Sequence, residues 1–352
     1  MKLIRLPLIC LATVLTLYIG AVVISSAIFG YFGVGRALDV SSPSTYAVFG
    51  DTGFSADVYN RLPLAKPGDH IVLIGASNMV PIPTNIVASR LGHGAVSNMS
   101  IDGSTVQDWP RIVSLAYEMI SKADYRHTTF VAGVWYGTFL SEGASVTSPL
   151  NNELTRFGIY KHDRTGRVIL AIPQSMLPIA LLGVRPFILS SRIWESLGYA
   201  NLTVSRAALS GSKIAGGADV FSRNVAVVDT AARRAMLLDL RNTQPHAVAN
   251  NAFVALGDLA QTISQSGGRL VIVDLPIPSW HAQGAPAFAD YQKRKGFFLQ
   301  QILQIPGVSY VNMQSGFPDD DFYDSVHPKP IAAVAWAKRI GDGIRGAIGS
   351  PD

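Results

Sequence analysis

The run from Leu6 to Val34 constrains this chain more than any other feature, because no charged residue interrupts it. At roughly 29 residues it exceeds the ~20 that a helix needs to cross a bilayer and the roughly 7–15 of a signal-peptide core. Lys2 and Arg5 precede it and favour a cytoplasmic amino end, which puts everything after Arg36 outside. Ser25-Ser26-Ala27 offers small residues for cleavage, but Ile28, Phe29, Tyr31 and Phe32 carry the apolar run past that point. The expectation is an uncleaved signal-anchor. Cys10 lacks a small residue before it at Leu8-Ile9, so it reads as an apolar residue of the helix and not as a lipidation site. It is also the one cysteine, which excludes an internal disulfide and a cysteine-based zinc site.

Over the whole chain, anchor included, hydrophobic residues make up 48% and charged residues 15%, well under the ~25% of typical soluble domains. Disorder is excluded. The net charge of +5 is spread along the chain with no basic cluster interleaved with aromatics. Nucleic-acid binding is therefore not expected, whereas anionic headgroups or an acidic polymer would suit a basic surface. The chain divides into a transmembrane segment over 1–36, a juxtamembrane linker over 37–68 marked by Pro43, Pro63 and Pro67, and one extracytoplasmic domain over 69–352.

Five short apolar runs in that domain read as strands: Ile71–Ile74, Gly94–Met99, Thr129–Trp135, Arg269–Leu275 and Val308–Asn312. Helical periodicity falls roughly at Val106–Lys122, Ala247–Gln265, Phe288–Gln304 and Ile331–Ile348. Alternation of the two predicts an α/β fold with a mostly parallel sheet covered on both faces. Between the third and fourth strands lies an insertion over 141–246, too long for a plain crossover. Within it Val168–Leu189 is strongly apolar but is broken by Pro173, Pro178 and Pro186 and carries Arg185. A second span there would separate Ser77 from His327, which are argued below to act together. The segment reads as short helices that pack on the domain or dip into the lipid interface.

The first strand ends in Gly75-Ala76-Ser77-Asn78. Ligands of open parallel sheets bind at the carboxyl ends of the strands. A serine at a tight turn there exposes its hydroxyl, and its N–H can help to hold an oxyanion. The second strand runs through Asn98 to Gly103, which can present a second N–H at the same edge, with Ser104 or Thr105 as helix N-cap. Near the C-terminus stand Asp324 and His327, where a carboxylate can hold the imidazole's tautomer while its other nitrogen reaches a serine. Asp319-Asp320-Asp321 lacks the spaced ligands of a calcium loop and reads as a solvated acidic turn.

Taken in order, Gly75-Ala76-Ser77-Asn78, Asn98 with Gly103, and Asp324-Ser325-Val326-His327-Pro328 resemble three sequence blocks of the SGNH (GDSL-like) hydrolase superfamily. The resemblance covers roughly residues 70–139 and 247–348. It implies a three-layer, flavodoxin-like parallel sheet with a long insertion. It also implies Ser77 as nucleophile, His327 as base, Asp324 as its orienting partner, and backbone donors at Ser77 and Gly103. No metal and no cofactor are implied. One block departs: where that superfamily often has Gly-x-Asn-Asp, this chain has Gly133-Val134-Trp135-Tyr136-Gly137, without the asparagine that completes the oxyanion hole. A missing donor costs about 3 kcal/mol of transition-state stabilisation unless replaced. Asn78 and Tyr136 are candidate substitutes, while Trp135, Tyr136 and His281, just after the fourth strand, are candidate substrate contacts.

Membrane-tethered proteins with such a departure resemble alginate O-acetylation and teichoic-acid D-alanylation proteins. That similarity implies a bacterial inner-membrane protein with a periplasmic domain. It implies an O-acyltransferase, most simply an O-acetyltransferase, acting on a polysaccharide acceptor. The acyl group would be delivered by a partner membrane-bound O-acyltransferase. The alternatives are an esterase or deacetylase that uses water, and a catalytically silent scaffold that binds a glycan or a membrane partner. Of the remaining histidines, His70, His93, His127 and His162 read as surface or capping residues. Arg223, Arg233, Arg234 and Arg241 read as a solvated helix face.

Overall fold

The computed structural model describes residues 2–31, 67–92, 95–101, 103–140, 160–162, 168–176, 179–180, 182–183, 186–187, 247–322 and 326–348. Most of the linker, much of the insertion including Arg223, Arg233, Arg234 and Arg241, and Asp324 lie outside the described residues. In chain order the elements are α1 (Lys2–Tyr31), β1 (His70–Gly75), α2 (Thr84–Leu91), β2 (Ala95–Asn98), α3 (Trp109–Met119) and β3 (Thr128–Val134). A hairpin of β4 (Tyr160–His162) and β5 (Val168–Leu170) follows. Then come α4 (Ala252–Gln265), β6 (Arg269–Asp274), α5 (Ser279–Gly284), α6 (Pro286–Ile302), β7 (Val308–Asn312) and α7 (Pro330–Ile348).

Helix α1 is long and apolar enough over Pro7–Ala27 to cross a membrane. All five expected strands are present and form one sheet in the order β2-β1-β3-β6-β7, parallel throughout. Strands this regular can be parallel because each connection returns through a helix. Residue alternation splits the core in two. Val72 and Ile74 of β1 face a cluster with Trp109 and Ile112 of α3 and Leu256 of α4, while Ile71 and Leu73 face Val87 of α2 and Trp336 and Ile340 of α7. Each fully buried aliphatic side chain contributes about 1.5–3 kcal/mol. The sheet is thus covered on both faces. The four expected helices appear with shifted ends, and α2 and α5, each under three turns, had no periodicity long enough to be seen in the sequence.

Two expectations change here. His70 is buried, because β1 is paired on both sides and its first residue is covered with the rest. Neither Ser104 nor Thr105 is the N-cap of α3. Asp108 occupies that position, and its carboxylate accepts from both the N–H (2.8 Å) and the hydroxyl (3.1 Å) of Thr105.

The carboxyl edge of the sheet depends on two glycines. Gly75 and Gly133 are register partners on β1 and β3, and the side chain of Met79 lies across both. A Cβ on either would overlap Met79 Cγ. Gly133→Ala is therefore expected to cost about 1–3 kcal/mol through overpacking, read as a lowered Tm in detergent solution. Truncating Met79 as well should leave the pair less destabilised than the sum of the two single changes.

Candidate active site

In a parallel sheet whose chain moves from β1 outward to β2 and then back to β3, the strand ends diverge beside β1 and leave a crevice. Ser77 stands two residues past the end of β1, at that crevice. The turn is closed by Met79 N–H donating to Ala76 C=O (2.9 Å) and Ile82 N–H to Met79 C=O (3.1 Å). From the neighbouring strand, the amide of Asn98 donates to the carbonyls of Met79 (2.9 Å), Val80 (3.3 Å) and Ile82 (3.4 Å). Its Oδ1 accepts from the N–H of Ser100 (3.0 Å). One buried side chain thus ties the loop after β1 to the loop after β2.

The loop after β2 is also fastened directly to the end of β1. Ile101 N–H and the Ser104 hydroxyl both donate to Gly75 C=O, each at 2.9 Å, and the Trp109 indole N–H donates to Ser104 Oγ at 3.3 Å. Gly103 between them is exposed and has φ 68°, a left-handed conformation that glycine alone adopts without cost.

His327 arrives from the far end of the chain. Its Nε2 lies 2.7 Å from Ser77 Oγ, a contact between residues 250 apart in sequence. With the ring neutral and protonated on Nδ1, the serine hydroxyl donates to Nε2. The loop that carries His327 is pinned at both ends. Phe322 bridges to Pro328, Lys329 N–H donates to Asp321 C=O (2.7 Å), and the Phe322 ring packs edge-on against Trp336. Val326 is buried in the core under α3, and Phe322 in the core under α7. Asp319 receives the N–H and the hydroxyl of Ser279 at 2.7 and 2.8 Å, so the acidic turn fastens the start of α5 as well as meeting solvent. No group of three or more histidine, cysteine or acidic residues that could hold a metal occurs among the described residues.

The other expected site residues lie deeper. Asn78 is fully buried, and neither its Oδ1 nor its Nδ2 has a hydrogen-bond partner among the described residues. Trp135, Tyr136 and His281 are buried in one aromatic cluster. Tyr136 Oη and His281 Nε2 are 2.5 Å apart, and the Trp135 and Tyr136 rings meet edge to face at 5.1 Å. The Tyr136 ring also meets those of His281 and Phe288 edge to face, and the Trp135 ring lies 6.3 Å from that of His281, so the three side chains are packed inside the domain just past the ends of β3 and β6.

One cluster had no counterpart in the sequence reading. Asp274, at the end of β6, is fully buried and accepts from Lys295 Nζ (2.5 Å), Tyr310 Oη (2.9 Å), Tyr291 Oη (3.1 Å) and Gln314 Nε2 (3.1 Å). It joins α6, β7 and the start of the His327 loop. Burial pushes its carboxyl above the ordinary range, and Lys295 followed by the hydroxyl donors pulls it back. The same burial, with the carboxylate beside them, raises the phenols of Tyr291 and Tyr310. The signal was an acidic residue closing an otherwise apolar strand, LVIVD, but its partners are 17 to 40 residues away.

The sequence matches no protein-family model and no curated protein.

Lys295→Met leaves the Asp274 carboxylate buried without its cation and is expected to cost about 3–5 kcal/mol at neutral pH. An acid whose folded pKa lies above its unfolded value of about 3.9 binds more protons when folded, so stability falls as pH rises through that interval. Loss of Lys295 lifts the folded value further. Denaturant unfolding of the variant should therefore recover part of its deficit as pH is lowered towards the ordinary carboxylate range.

Proposed function

We propose that this chain is a membrane-anchored, extracytoplasmic O-acyltransferase of SGNH type that transfers an acyl group, most simply acetyl, to a hydroxyl of a polysaccharide. The observation that carries the reading is the 2.7 Å contact of His327 Nε2 with Ser77 Oγ at the carboxyl edge of a parallel sheet. A histidine loop pinned into both cores fits a base that must hold its position through a reaction cycle. The donor is an acyl ester delivered at the membrane by a membrane-bound O-acyltransferase partner. The apolar α1 supports a single-pass anchor; Lys2 and Arg5 before it favour a cytoplasmic amino end, and the reading places the domain in the periplasm of a bacterial inner-membrane protein.

In the reaction, Ser77 Oγ attacks the acyl carbonyl while His327 Nε2 takes the hydroxyl proton. The negative charge that develops on the carbonyl oxygen is held by the N–H groups of Ser77 and Gly103. Collapse breaks the donor ester bond, and His327 returns the proton to the leaving oxygen. A sugar hydroxyl then attacks the acyl-serine, His327 takes its proton, and Ser77 is regenerated with that proton restored. Asp324, three residues before His327, is the partner assigned to Nδ1. Trp135, Tyr136 and His281, being buried, serve as the floor of the site, and acceptor selection falls to exposed residues around Ser77 and Gly103.

The second reading is an esterase in which water takes the place of the sugar. The partial exposure of both Ser77 and His327 favours it, since water reaches an open acyl-serine. The two separate by product partition. With a small acyl ester and an oligosaccharide acceptor, the full-length protein in detergent should acylate the glycan, as read by mass spectrometry. Ser77→Ala and His327→Ala should each lower turnover by several orders of magnitude while the Tm stays near that of the parent. Turnover that yields free acid alone, unchanged by glycan, supports the esterase; undiminished acylation by Ser77→Ala defeats both. A periplasm-dependent reporter fused after Asp352 should be active, and a reporter active in the cytoplasm would reverse the topology.

A further inference from the structure

We propose that the groove between α4 and α6 is an auxiliary binding site for an uncharged stretch of polysaccharide, held there while a neighbouring sugar of the same chain reaches Ser77. The inference deepens the acyltransferase reading and rests on it for the link to Ser77. The groove has a volume of about 660 Å³, within the range of ligand sites.

Its walls are apolar and aromatic, built from Phe253 and Val254 of α4 and from Phe297 and Phe298 of α6. Val254 and Phe297 are 61% and 66% exposed, and the Phe253 and Phe298 rings meet at 5.0 Å. Gly257 leaves room between the helices, since a Cβ there would touch only Phe298 Cε2, at 3.8 Å. Arg294 fixes the end near the start of α4. Its guanidinium donates to the carbonyls of Val248 (2.8 Å), Ala249 (3.4 Å) and Asn250 (3.3 Å) and lies 5.3 Å from the centre of the Phe253 ring. The chain entering α4 is thus bound to α6 before a ligand arrives, which lowers the cost of binding.

The polar residues of the groove choose the occupant. Asn250, Asp258, Gln261, Lys293 and Gln301 also line it, and all five are exposed. They offer two kinds of charge and three amides in one groove. An alkyl chain would meet none of these groups with a hydrogen bond. A sugar hydroxyl both donates and accepts, so it can meet carboxylate, ammonium and amide alike, while the C–H faces of the sugar ring pack on phenyl rings. With Lys293 and Asp258 of opposite sign and Arg294 engaged with carbonyls, the groove has no strong field to select an anionic polymer.

The groove also opens towards the edge that carries Ser77. Helix α4 begins just past the end of β3, where Ala249 N–H donates to Phe139 C=O (2.7 Å), and α6 follows the end of β6, so both helices start at the carboxyl edge of the sheet. Strands β1 and β6 are two positions apart in the sheet, about 10 Å. Gln107, four residues past Gly103, donates to Asn251 Oδ1 (3.3 Å), which joins the loop after β2 to the start of α4 beside Asn250. A short oligosaccharide can cover that path. Holding one part of a polymer in the groove raises the effective concentration of its other hydroxyls at the acyl-serine.

The test uses the full-length protein in phosphatidylcholine nanodiscs, titrated calorimetrically with neutral hexasaccharides of β-linked glucose, N-acetylglucosamine, mannose and galactose. Phe297→Ala and the double change Gln261→Ala with Gln301→Ala alter exposed side chains and should keep the parent Tm. At least one hexasaccharide is expected to bind, with little dependence on salt, and each variant should weaken it about tenfold. Turnover of a small acyl ester should stay at the parent rate, while transfer to that hexasaccharide shows a raised KM and an unchanged kcat. Failure of all four sugars to bind, or binding that both variants retain at parent strength, overturns the proposal. So does binding of oleate in their place, which marks a lipid groove. Binding that the variants lose, with no acyl transfer to glycan by the parent, keeps the groove as a glycan site and defeats the acyltransferase reading instead.

Discussion

The side chain of Asn98 bears on nearly everything at the carboxyl edge of the sheet. A buried primary amide has two donors and an acceptor to satisfy, and here all of them are spent on the backbone of two loops. The Met79 carbonyl also accepts from Ile82 N–H, whereas the buried Ile82 carbonyl would lose its contact with Asn98, and an unpaired buried carbonyl costs about 1–3 kcal/mol. Because the donors sit on β2 and the acceptors follow β1, the turn of Ser77 is held by the neighbouring strand as well as by its own two local hydrogen bonds. Met79 completes the arrangement from below, lying over two glycines that face each other across the strand pair.

On the other side of the crevice the constraint is a chain of polar contacts. Asp274 gathers Lys295, Tyr291, Tyr310 and Gln314, and Gln314 stands at the start of the loop that ends in His327. A fully partnered buried charge holds several elements in one geometry even where its net contribution to stability is small. The loop is then clamped by the Phe322–Pro328 bridge and by apolar anchors in both cores. The Ser77 turn is thus held by local hydrogen bonds together with those from β2, and the His327 loop by a combination of packing and a buried ion pair.

The aromatic replacement after β3 illustrates how position and role part company. Trp135 and Tyr136 stand where a polar oxyanion donor was expected, and as exposed rings they would have suited a sugar face. Instead Tyr136 and His281 pair with each other, and the Trp135 indole fills the space over Gly137, where a Cβ would overlap it. The residues after β3 thus give that end of the sheet buried ring packing.

Much of the fold was legible in the residues themselves. The apolar run before Arg36, the five strand segments and the four longer helices follow from hydrophobic periodicity, a local property that survives without tertiary information. The Gly-Ala-Ser-Asn turn and the His327 segment stood out because their residue types suit a strand-end nucleophile and a base. Tertiary structure alone decided that these two meet, since the contact joins residues 250 apart and depends on strand order. It also decided that His70, Asn78 and His281 are buried, that Asp108 and not Ser104 or Thr105 caps α3, and that Asp274 has four partners. Burial and pairing of polar groups are set by what lies across the sheet or under the next helix, and hydrophobic periodicity carries no record of that.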